Sequence, residues 1–370
     1  MAVAAADVRW MRLALSLGAR GLGRTAENPA VGCVIVKDGR VLGRGRTADG
    51  GRPHAEVVAL AQAGEAARGA TAYVTLEPCN HTGQTGPCSE ALTRAGVARV
   101  VAAIADPDPR TSGAGMARLE AAGVAVTLGC CEAAARRAHA GFFSRLSRGR
   151  PSLTLKLASS LDGRIATASG ESQWITGPQA RRLVHAMRAR HDAVLVGAGT
   201  ARADDPGLTV RDLGPLPQPA RVVLSRRLDI PLDGQLAQSA RDVPVILLHG
   251  PNPPEETRMA WEKAGAQLQE APIGAGRQLD PEAALRALGA MGLNRVFCEG
   301  GGHLAAALLS HDLVDELAVF QAGLMIGAEG LPSLGAMGLA HLSEASRFEL
   351  SDCRSIGPDS LSLWSRRELG

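Results

Sequence analysis

The feature that most restricts the fold is a set of metal-ligand residues in the first quarter of the 370-residue chain. His54 and Glu56 form an H-x-E pair at the start of a predicted helix, and Cys79 and Cys88 each follow a proline. Zinc prefers imidazole nitrogen and thiolate sulfur in tetrahedral geometry. A fold that uses these residues as one site must bring a helix start and both ends of the loop 80–87 close together.

The ligand set predicts a catalytic zinc site rather than a structural one. Two thiolates and one imidazole leave the fourth position open, whereas a structural site needs a fourth protein ligand, for which His81 is the nearby candidate. Glu56 follows His54 by two residues and could transfer protons beside the metal without binding it. Zinc deaminases combine H-x-E with P-C-x-x-C, but here eight residues separate Cys79 from Cys88. A surface histidine and two packed thiols are the alternative, which leaves both Pro-Cys pairs unexplained.

Strand and helix patterns alternate along the chain, which predicts layered α/β domains. In the first half we predict strands over 30–36, 41–45, 72–76, 100–105 and 124–128, and helices over 1–20, 55–67, 89–95, 116–123 and 132–146. The segment 147–151 is polar and contains glycine and proline, and 370 residues exceed what one hydrophobic core usually serves. We therefore predict two domains, 1–148 and 152–370.

The second half restarts this alternation and contains glycine segments after predicted strands. The predicted strands are 153–158, 193–196, 221–224, 245–248, 295–298 and 317–320, and the predicted helices are 179–190 and 303–309. Glu299-Gly300-Gly301-Gly302 precedes a helix whose amino terminus could bind phosphate, although a plain turn would also fit. The segment 196–200 lacks the third glycine of a dinucleotide fingerprint. Ser225-Arg226-Arg227 predicts either a 2′-phosphate site that favours NADPH or a solvated charge pair.

Composition restricts the class of partner. The formal net charge is +3 and aromatic residues make up 3% of the chain, which differs from the basic, aromatic-rich surfaces that bind single-stranded nucleic acid. The amino terminus lacks a continuous apolar region, and no segment approaches the ~18 apolar residues of a membrane span. Seven cysteines, an odd number, argue against a disulfide framework. We expect a cytoplasmic protein without a nucleic-acid or membrane partner.

Several longer motifs resemble one family along the whole chain. HAE, TLEPCNHTGQTGPC and NPAVGCVIV resemble the amino-terminal half of the bifunctional riboflavin-biosynthesis deaminase-reductase. LKLASSLDGRIA, SGESQWITG, GAGTARADDPGLTVR and EGGGHLAAALL resemble its reductase half. The resemblance implies an α/β chain in which a cytidine-deaminase-like α/β/α domain precedes a dihydrofolate-reductase-like α/β domain. It also implies zinc and NADPH as cofactors, a small phosphoribosyl-pyrimidine as substrate, and a homo-oligomer, either a dimer or a tetramer.

Residue roles follow from the resemblance by position. In the first half it implies that His54, Cys79 and Cys88 bind zinc, that Glu56 transfers protons and that Asn28 contacts substrate; a turn residue before a proline is the alternative for Asn28. In the second half it implies NADPH contacts by Ala158, Trp174, Thr200, Asp204, Ser225, Gly301, Gly302, His303, Leu304, Ala305, Ala306 and Ala307. It implies substrate contacts by Ser172, Arg188, Leu208, Arg211 and Glu299, among which the two arginines suit a sugar phosphate.

The resemblance implies a two-step enzyme. The first domain would hydrolytically deaminate 2,5-diamino-6-(5-phosphoribosylamino)pyrimidin-4(3H)-one, and the second would reduce the ribosyl side chain to ribityl with NADPH. One alternative is a zinc deaminase acting on RNA bases with a non-reductase second domain, which the low aromatic content and the near-neutral charge disfavour. A third interpretation is a non-enzymatic, zinc-stabilised fold whose second domain binds partners. The sequence indicates no proton donor for the reduction.

Overall fold

The computed structural model describes residues 3–82, 86–108 and 111–367. The chain folds into two compact units, Met1–Arg148 and Gly149–Gly370. Part of the loop predicted between the two candidate cysteine ligands, 83–85, lies outside the described residues. Within the described ranges, no helix combines the length and the apolar character that a membrane crossing requires.

A five-stranded mixed sheet forms the centre of the first unit. Its strands are β1 (Gly32–Lys37), β2 (Arg40–Arg46), β3 (Thr71–Val74), β4 (Arg99–Ala102) and β5 (Ala125–Leu128). The strand order is β2-β1-β3-β4-β5, in which β1 is antiparallel to both neighbours and β3, β4 and β5 are parallel. Five consecutive residues of β1 are buried, which indicates that both faces of the sheet are covered.

Helices surround this sheet, and one of them lies unusually close to it. The helices are α1 (Ala5–Gly18), α2 (Ala55–Ala63), α3 (Cys88–Arg94), α4 (Ala114–Ala121), α5 (Glu132–Ala138) and α6 (Ala140–Arg148). A methyl group on Gly43 or Gly45 of β2 would lie 2.1 or 2.3 Å from a carbonyl oxygen of α2. These two glycines therefore allow α2 to pack directly on the sheet backbone, which fixes the position of its amino terminus.

The prediction of one long helix over 132–146 is wrong, because two helices, α5 and α6, meet at His139. This residue leaves helical geometry, with φ −98° and ψ 8°, and its side chain is only 2% exposed. The imidazole Nε2 lies 3.1 Å from Oγ1 of Thr75, directly after β3. The interruption thus turns a polar side chain into the interior, where it meets a hydrogen-bonding partner.

The second unit is built on a nine-stranded sheet. Its strands, with the separate pair β7 and β14, are β6 (Ser152–Ser160), β7 (Arg164–Ala166), β8 (Ala193–Gly197), β9 (Ala220–Leu224), β10 (Val245–His249), β11 (Gln267–Glu270), β12 (Arg295–Cys298), β13 (Glu316–Ala322), β14 (Leu331–Pro332), β15 (Phe348–Ile356) and β16 (Asp359–Arg366). The order is β11-β10-β9-β8-β12-β6-β13-β16-β15. The first seven are parallel, and β16 and β15 continue the sheet as antiparallel strands.

Helices cover both faces of the parallel part. They are α7 (Pro178–Arg188), α8 (Ala198–Asp204), α9 (Gln235–Gln238), α10 (Glu255–Ala264), α11 (Pro281–Ala290) and α12 (Gly302–Ser310). Successive residues of β8 alternate between two buried apolar clusters, Leu195 in one and Val194 and Val196 in the other. Since side chains alternate across a strand, the two clusters lie on opposite faces of the sheet.

Candidate functional site

Three side chains of the first unit converge on one point. Nδ1 of His54 lies 3.6 Å from Sγ of Cys79 and 3.3 Å from Sγ of Cys88, and the three ligand atoms all lie within 4.8 Å of one another. Tetrahedral zinc, with Zn–S of about 2.3 Å and Zn–N of about 2.0–2.1 Å, places sulfur and nitrogen ligands about 3.6 Å apart. The observed spacing therefore fits a zinc ion held by the three predicted residues.

Local structure explains how these ligands meet. His54 is the extended residue immediately before α2, and Cys88 is the first residue of α3. Cys79 follows β3, and its sulfur accepts a hydrogen bond of 3.4 Å from the backbone amide of Cys88. Amides at a helix start favour a thiolate. Two helix starts and one strand end therefore supply the site, and tertiary structure closes it.

The two cysteine thiols differ in how readily they lose a proton. Hydrogen bonds from Cys88, and then from His54, lower the pKa of Cys79 to about 4 against the effect of burial. The neighbouring Cys79 sulfur, together with burial, raises the pKa of Cys88. One thiolate and one thiol result without a metal, so binding zinc to both sulfurs releases a proton.

Glu56 lies in the first turn of α2, beside the ligand cluster. Its side chain is 4% exposed, and burial followed by the negative charge of Cys79 raises its pKa to about 7. Its carboxyl group also interacts through a hydrogen bond with Cys88. A carboxyl group with a pKa near neutrality can both accept and donate a proton, as general acid-base catalysis requires.

Sequence reasoning missed a buried carboxyl group that holds the cysteine loop. Glu77 is 3% exposed, and its two side-chain oxygens accept four backbone amide hydrogen bonds of 3.0–3.3 Å. The four donors are Asp106, Gly113, Gly115 and Met116. A methyl group on Gly115 would lie 1.9 Å from the carbonyl oxygen of Pro78. The segment before Cys79 is therefore fixed against the start of α4, a contact between distant residues that no local pattern reveals.

A second acidic residue near the site was also missed. Asp106 follows β4 and is 7% exposed. Burial, together with the negative charges of Asp108, Glu77 and Cys79, raises its pKa to about 6. Because β3 and β4 are parallel neighbours, the residues after both strands lie at one edge of the sheet.

In the second unit, the predicted ligand residues lie where parallel strands end. Thr200 follows β8, Ser225 follows β9 and Glu299 follows β12, while Ala158 lies near the end of β6. The strand order reverses here, because β12 returns to a place between β8 and β6. Open α/β sheets bind ligands at the carboxyl edge of the strands where the order reverses. The topology therefore gathers these four residues at the expected edge.

Glu299 is paired with Arg188, although 111 positions separate them in the chain. Nε of Arg188 donates to one carboxylate oxygen at 2.5 Å, and Nη2 donates to the other at 3.0 Å. Burial opposes ionisation of Glu299, but the positive charge and hydrogen bonds of Arg188 hold its pKa below the usual value. One face of Arg188 is therefore occupied by a carboxylate, and Arg211 is the exposed arginine of the pair proposed to bind phosphate.

Two further basic residues next to this ion pair were missed in the sequence. Lys156 lies in β6, and burial lowers its pKa while Glu299 opposes that shift. His185 lies in α7, and burial, with the positive charges of Arg188 and Arg211, lowers its pKa. The positive charge of Arg211 therefore acts on His185 together with that of Arg188. Lys156 lies within the motif LKLASSLDGRIA and His185 lies outside the quoted motifs, but no role was assigned to either, because the two residues approach the ion pair only in the folded chain.

The glycine segment 300–302 connects the start of α12 to the start of α8 through a hydrogen bond. The backbone amide of Gly301 donates a 3.0 Å hydrogen bond to Oγ1 of Thr200. The glycine segment 196–200 follows a strand, as predicted, and passes directly from β8 into α8, while α12 begins at Gly302. Ala305 and Ala306 are buried in α12. The side chains of these two alanines face the interior, so either residue would contact a cofactor through the backbone of α12.

The remaining predicted residues differ in exposure. Trp174 is 66% exposed, and the Arg181 guanidinium lies 4.5 Å from its ring centre. Ser225 is 1% exposed, and its hydroxyl donates to Asp229 at 3.0 Å. Leu208 is 3% exposed, with φ +52°. Half-buried residues are Ser172, Gly301, Gly302, Leu304 and Ala307, and exposed ones are Asp204 and His303.

The first unit holds a buried glutamate beside a His-Cys-Cys cluster, which is typical of a zinc-dependent deaminase. The second unit holds a parallel sheet with a glycine segment at the carboxyl edge of its strands, which is typical of a reductase that binds a nucleotide. The family described as cytidine and deoxycytidylate deaminase zinc-binding region matches residues 5–104, and the RibD C-terminal domain matches residues 151–362. The chain therefore belongs to the RibD family of bifunctional deaminase-reductases of riboflavin biosynthesis.

Individual relatives match nearly the whole chain. It is 43% identical to riboflavin biosynthesis protein RibD of Escherichia coli (strain K12), covering 95% of this chain and 97% of the relative. The structure of Acinetobacter baumannii RibD, form 1, has a TM-score of 0.86 and 39% identity, covering 98% of this chain and 99% of that one. A Thermotoga maritima deaminase/reductase structure has a TM-score of 0.84 and 32% identity, with the same coverage.

These findings confirm the predicted fold class, the bifunctional activity, and zinc and NADPH as cofactors. They do not favour the alternative of an RNA-base deaminase with a non-reductase second domain, because the second half itself matches the RibD C-terminal domain.

Proposed function

We propose that residues 1–148 form the deaminase and residues 152–370 the reductase, and that they act on one substrate in sequence. The substrate is 2,5-diamino-6-(5-phosphoribosylamino)pyrimidin-4(3H)-one, and the product of the first step is then reduced with NADPH. The spacing of the His54, Cys79 and Cys88 ligand atoms carries the first half of this proposal. The Thermotoga maritima relative, a diaminohydroxyphosphoribosylaminopyrimidine deaminase and 5-amino-6-(5-phosphoribosylamino)uracil reductase, supports both halves.

In the deaminase, Glu56 moves the protons. His54, Cys79 and Cys88 would hold a zinc ion, which would supply Lewis-acid activation of a water molecule for attack on the ring. Glu56 accepts a proton from that water, donates it to the ring nitrogen and later assists departure of ammonia. Its burial and its raised pKa suit both directions of transfer. Asn28 orients the pyrimidine through its carboxamide, which offers a donor and an acceptor side by side.

In the reductase, the residues at the carboxyl edge of the sheet orient substrate and cofactor. NADPH, when bound, supplies the hydride. Backbone amides at the start of α12 would hold its phosphates, and Trp174 would offer it an exposed aromatic face. Glu299, held ionised by Arg188, accepts hydrogen bonds from the substrate, and Arg211 binds the sugar phosphate. The other residues assigned to cofactor and substrate in the sequence keep those roles in this proposal.

The proposal also covers the cellular location, the oligomeric state and the partners of the enzyme. We place the protein in the cytoplasm as a homo-oligomer, either a dimer or a tetramer, without nucleic-acid partners. The net charge of +3 and the aromatic content of 3% support the absence of nucleic acid, and the family resemblance supports the assembly. Light scattering of the purified chain distinguishes a monomer from either oligomer.

A Glu56→Gln substitution tests the deaminase assignment. The amide cannot accept the proton, so ammonia release should fall by about 10²- to 10⁴-fold. Zinc content and reduction of the deaminated substrate should persist. The control is Glu65→Gln, an exposed residue just after α2, which should behave like the unaltered chain. Normal deamination by the Glu56→Gln variant, or purified protein that contains no stoichiometric zinc, would refute the assignment.

A further inference from the structure

Gly51 occupies a turn where no side chain fits. It ends the 3₁₀ turn Asp49–Gly51 and has φ +91°. A methyl group built on Gly51 would lie 2.2 Å from Nδ2 and 2.9 Å from Cγ of Asn28, and 2.7 Å from the carbonyl oxygen of Thr25. All three distances are below 3.0 Å, which is closer than Cβ atoms in proteins approach other atoms. The Asn28 carboxamide therefore occupies the space that any other residue at position 51 would fill.

Backbone hydrogen bonds fix the segment 24–28 and join it to the turn Asp49–Gly51. The amide of Gly50 donates to the carbonyl of Arg24 at 2.7 Å, and the amide of Asn28 donates to the carbonyl of Thr25 at 3.0 Å. Oγ1 of Thr25 also donates to the carbonyl of Asn28 at 2.8 Å. The backbone of Asn28 is thus fixed, so that its side chain would have to change rotamer if position 51 carried a side chain.

The turn is joined directly to the zinc site. Gly51 lies three positions before His54. The Asn28 carboxamide is therefore packed against the segment that leads to a predicted metal ligand. Within residues 3–82, 86–108 and 111–367, no hydrogen bond to the Asn28 carboxamide is found. Its donor and acceptor therefore have no competing partner among these residues and can bind a ligand.

We infer that Gly51 is a positioning residue for deamination, because its missing side chain sets where the Asn28 carboxamide meets the pyrimidine. This inference rests on the proposed role of Asn28 as a substrate contact. Gly51 acts through Asn28 and touches neither zinc nor the reacting atoms, so its loss affects substrate binding before it affects the chemical step.

The test compares two adjacent glycines. In Gly51→Ala, the carboxamide must move, and we expect the KM for the diaminopyrimidine to rise about tenfold, the cost of about one lost hydrogen bond. Zinc content should stay stoichiometric, kcat should change less than KM, and the reductase should be unaffected. The matched control is Gly50→Ala, since Gly50 also has positive φ (+79°) but, apart from its chain neighbours, no atom of the described residues lies within 4 Å of its added methyl group. Its KM should remain unchanged.

A double-mutant cycle separates this inference from the proposed function. If Gly51 acts through Asn28, Gly51→Ala should raise the KM by less than about twofold in an Asn28→Ala background. A KM raised by Asn28→Ala but not by Gly51→Ala, or raised equally by Gly51→Ala in both backgrounds, would overturn the inference alone. An unchanged KM in Asn28→Ala would overturn both the role of Asn28 and the inference.

Thermal unfolding keeps the test decisive if Gly51→Ala is unstable. Asn28→Ala removes the Nδ2 and Cγ atoms that oppose the new methyl group, so the double variant should melt at a higher temperature than Gly51→Ala. Failure of Asn28→Ala to restore stability would show that the Thr25 carbonyl, rather than the carboxamide, excludes a side chain at position 51, and the inference would then be wrong.

Discussion

At the scale of single residues, Glu77 stabilises the loop that presents Cys79. In Glu77→Gln, one of the two oxygens that each accept two backbone amides becomes an NH₂ group, which cannot accept hydrogen bonds. We expect a loss of about 2 kcal/mol in the free energy of unfolding, together with weaker zinc retention. Denaturant unfolding and zinc analysis after dialysis measure both effects. Glu120→Gln, at an exposed position of α4, is the control, and equal behaviour of the two variants would contradict the prediction.

A second residue-scale prediction concerns the pH dependence of the reductase. Arg188 holds the pKa of Glu299 below its usual value against the effect of burial. In Arg188→Gln the burial effect remains, so the pKa of Glu299 rises and the carboxylate is protonated at higher pH. The acid limb of kcat/KM for NADPH-dependent reduction should therefore move to higher pH. Arg182→Gln, at an exposed position of the same helix, should leave the profile in place; an unshifted profile in Arg188→Gln would contradict the proposed role.

Residues whose partners have a recognisable spacing could be predicted, and residues joined only by the fold could not. His54, Cys79 and Cys88 were proposed as one cluster because zinc chemistry requires their donor atoms to converge, and the structure brings them together. The pairing of Arg188 with Glu299 spans 111 positions, and its two segments become neighbours only through the order of strands in the sheet. The family resemblance assigned both residues to the substrate, but nothing in the sequence indicated that they pair with each other.

At the scale of secondary structure, the break between α5 and α6 makes the first unit sensitive to acid. Burial lowers the pKa of His139 to about 4, so in acid the unfolded chain binds a proton that the folded chain excludes. Stability from the neutral imidazole is complete above pH ~6.5 and falls as pH decreases towards 4, by roughly 3 kcal/mol in total.

A His139→Leu variant tests this effect, since leucine keeps apolar contacts but does not titrate. The free energy of unfolding of the first unit should depend less on pH between ~6.5 and 4 than that of the unaltered chain. Chemical denaturation at several pH values measures the difference. Parallel pH curves for the two proteins would show that His139 has the same pKa in the folded and unfolded states, which would contradict the prediction.

Element boundaries were predictable where apolar periodicity is clear. The core strands β1, β8 and β12 were each anticipated from runs of buried apolar residues. The hairpin of β15 and β16 was missed, because β15 is an edge strand with mostly exposed residues and lacks a continuous apolar run. The break at His139 was missed for a different reason: helical residues flank it on both sides, and only the contact with Thr75 explains it.

At the scale of the whole molecule, each compact unit has its own sheet and its own buried clusters. No strand of the described sheets is shared between Met1–Arg148 and Gly149–Gly370. Units of this size bury enough apolar surface to fold alone. We therefore expect that separate production of 1–148 and 149–370 gives two folded proteins, the first with zinc-dependent ammonia release and the second with NADPH oxidation.

Thermal unfolding followed by circular dichroism, together with the two activity assays, measures this outcome against the full chain. Each fragment should unfold cooperatively, and a mixture of both should convert the diaminopyrimidine to the reduced product. Because Glu56 and Glu299 belong to different units, Glu56→Gln in the first fragment should lower only the rate of ammonia release. A fragment that is unfolded alone but active when joined to the other would show that the units depend on each other for stability, which separate cores alone do not predict.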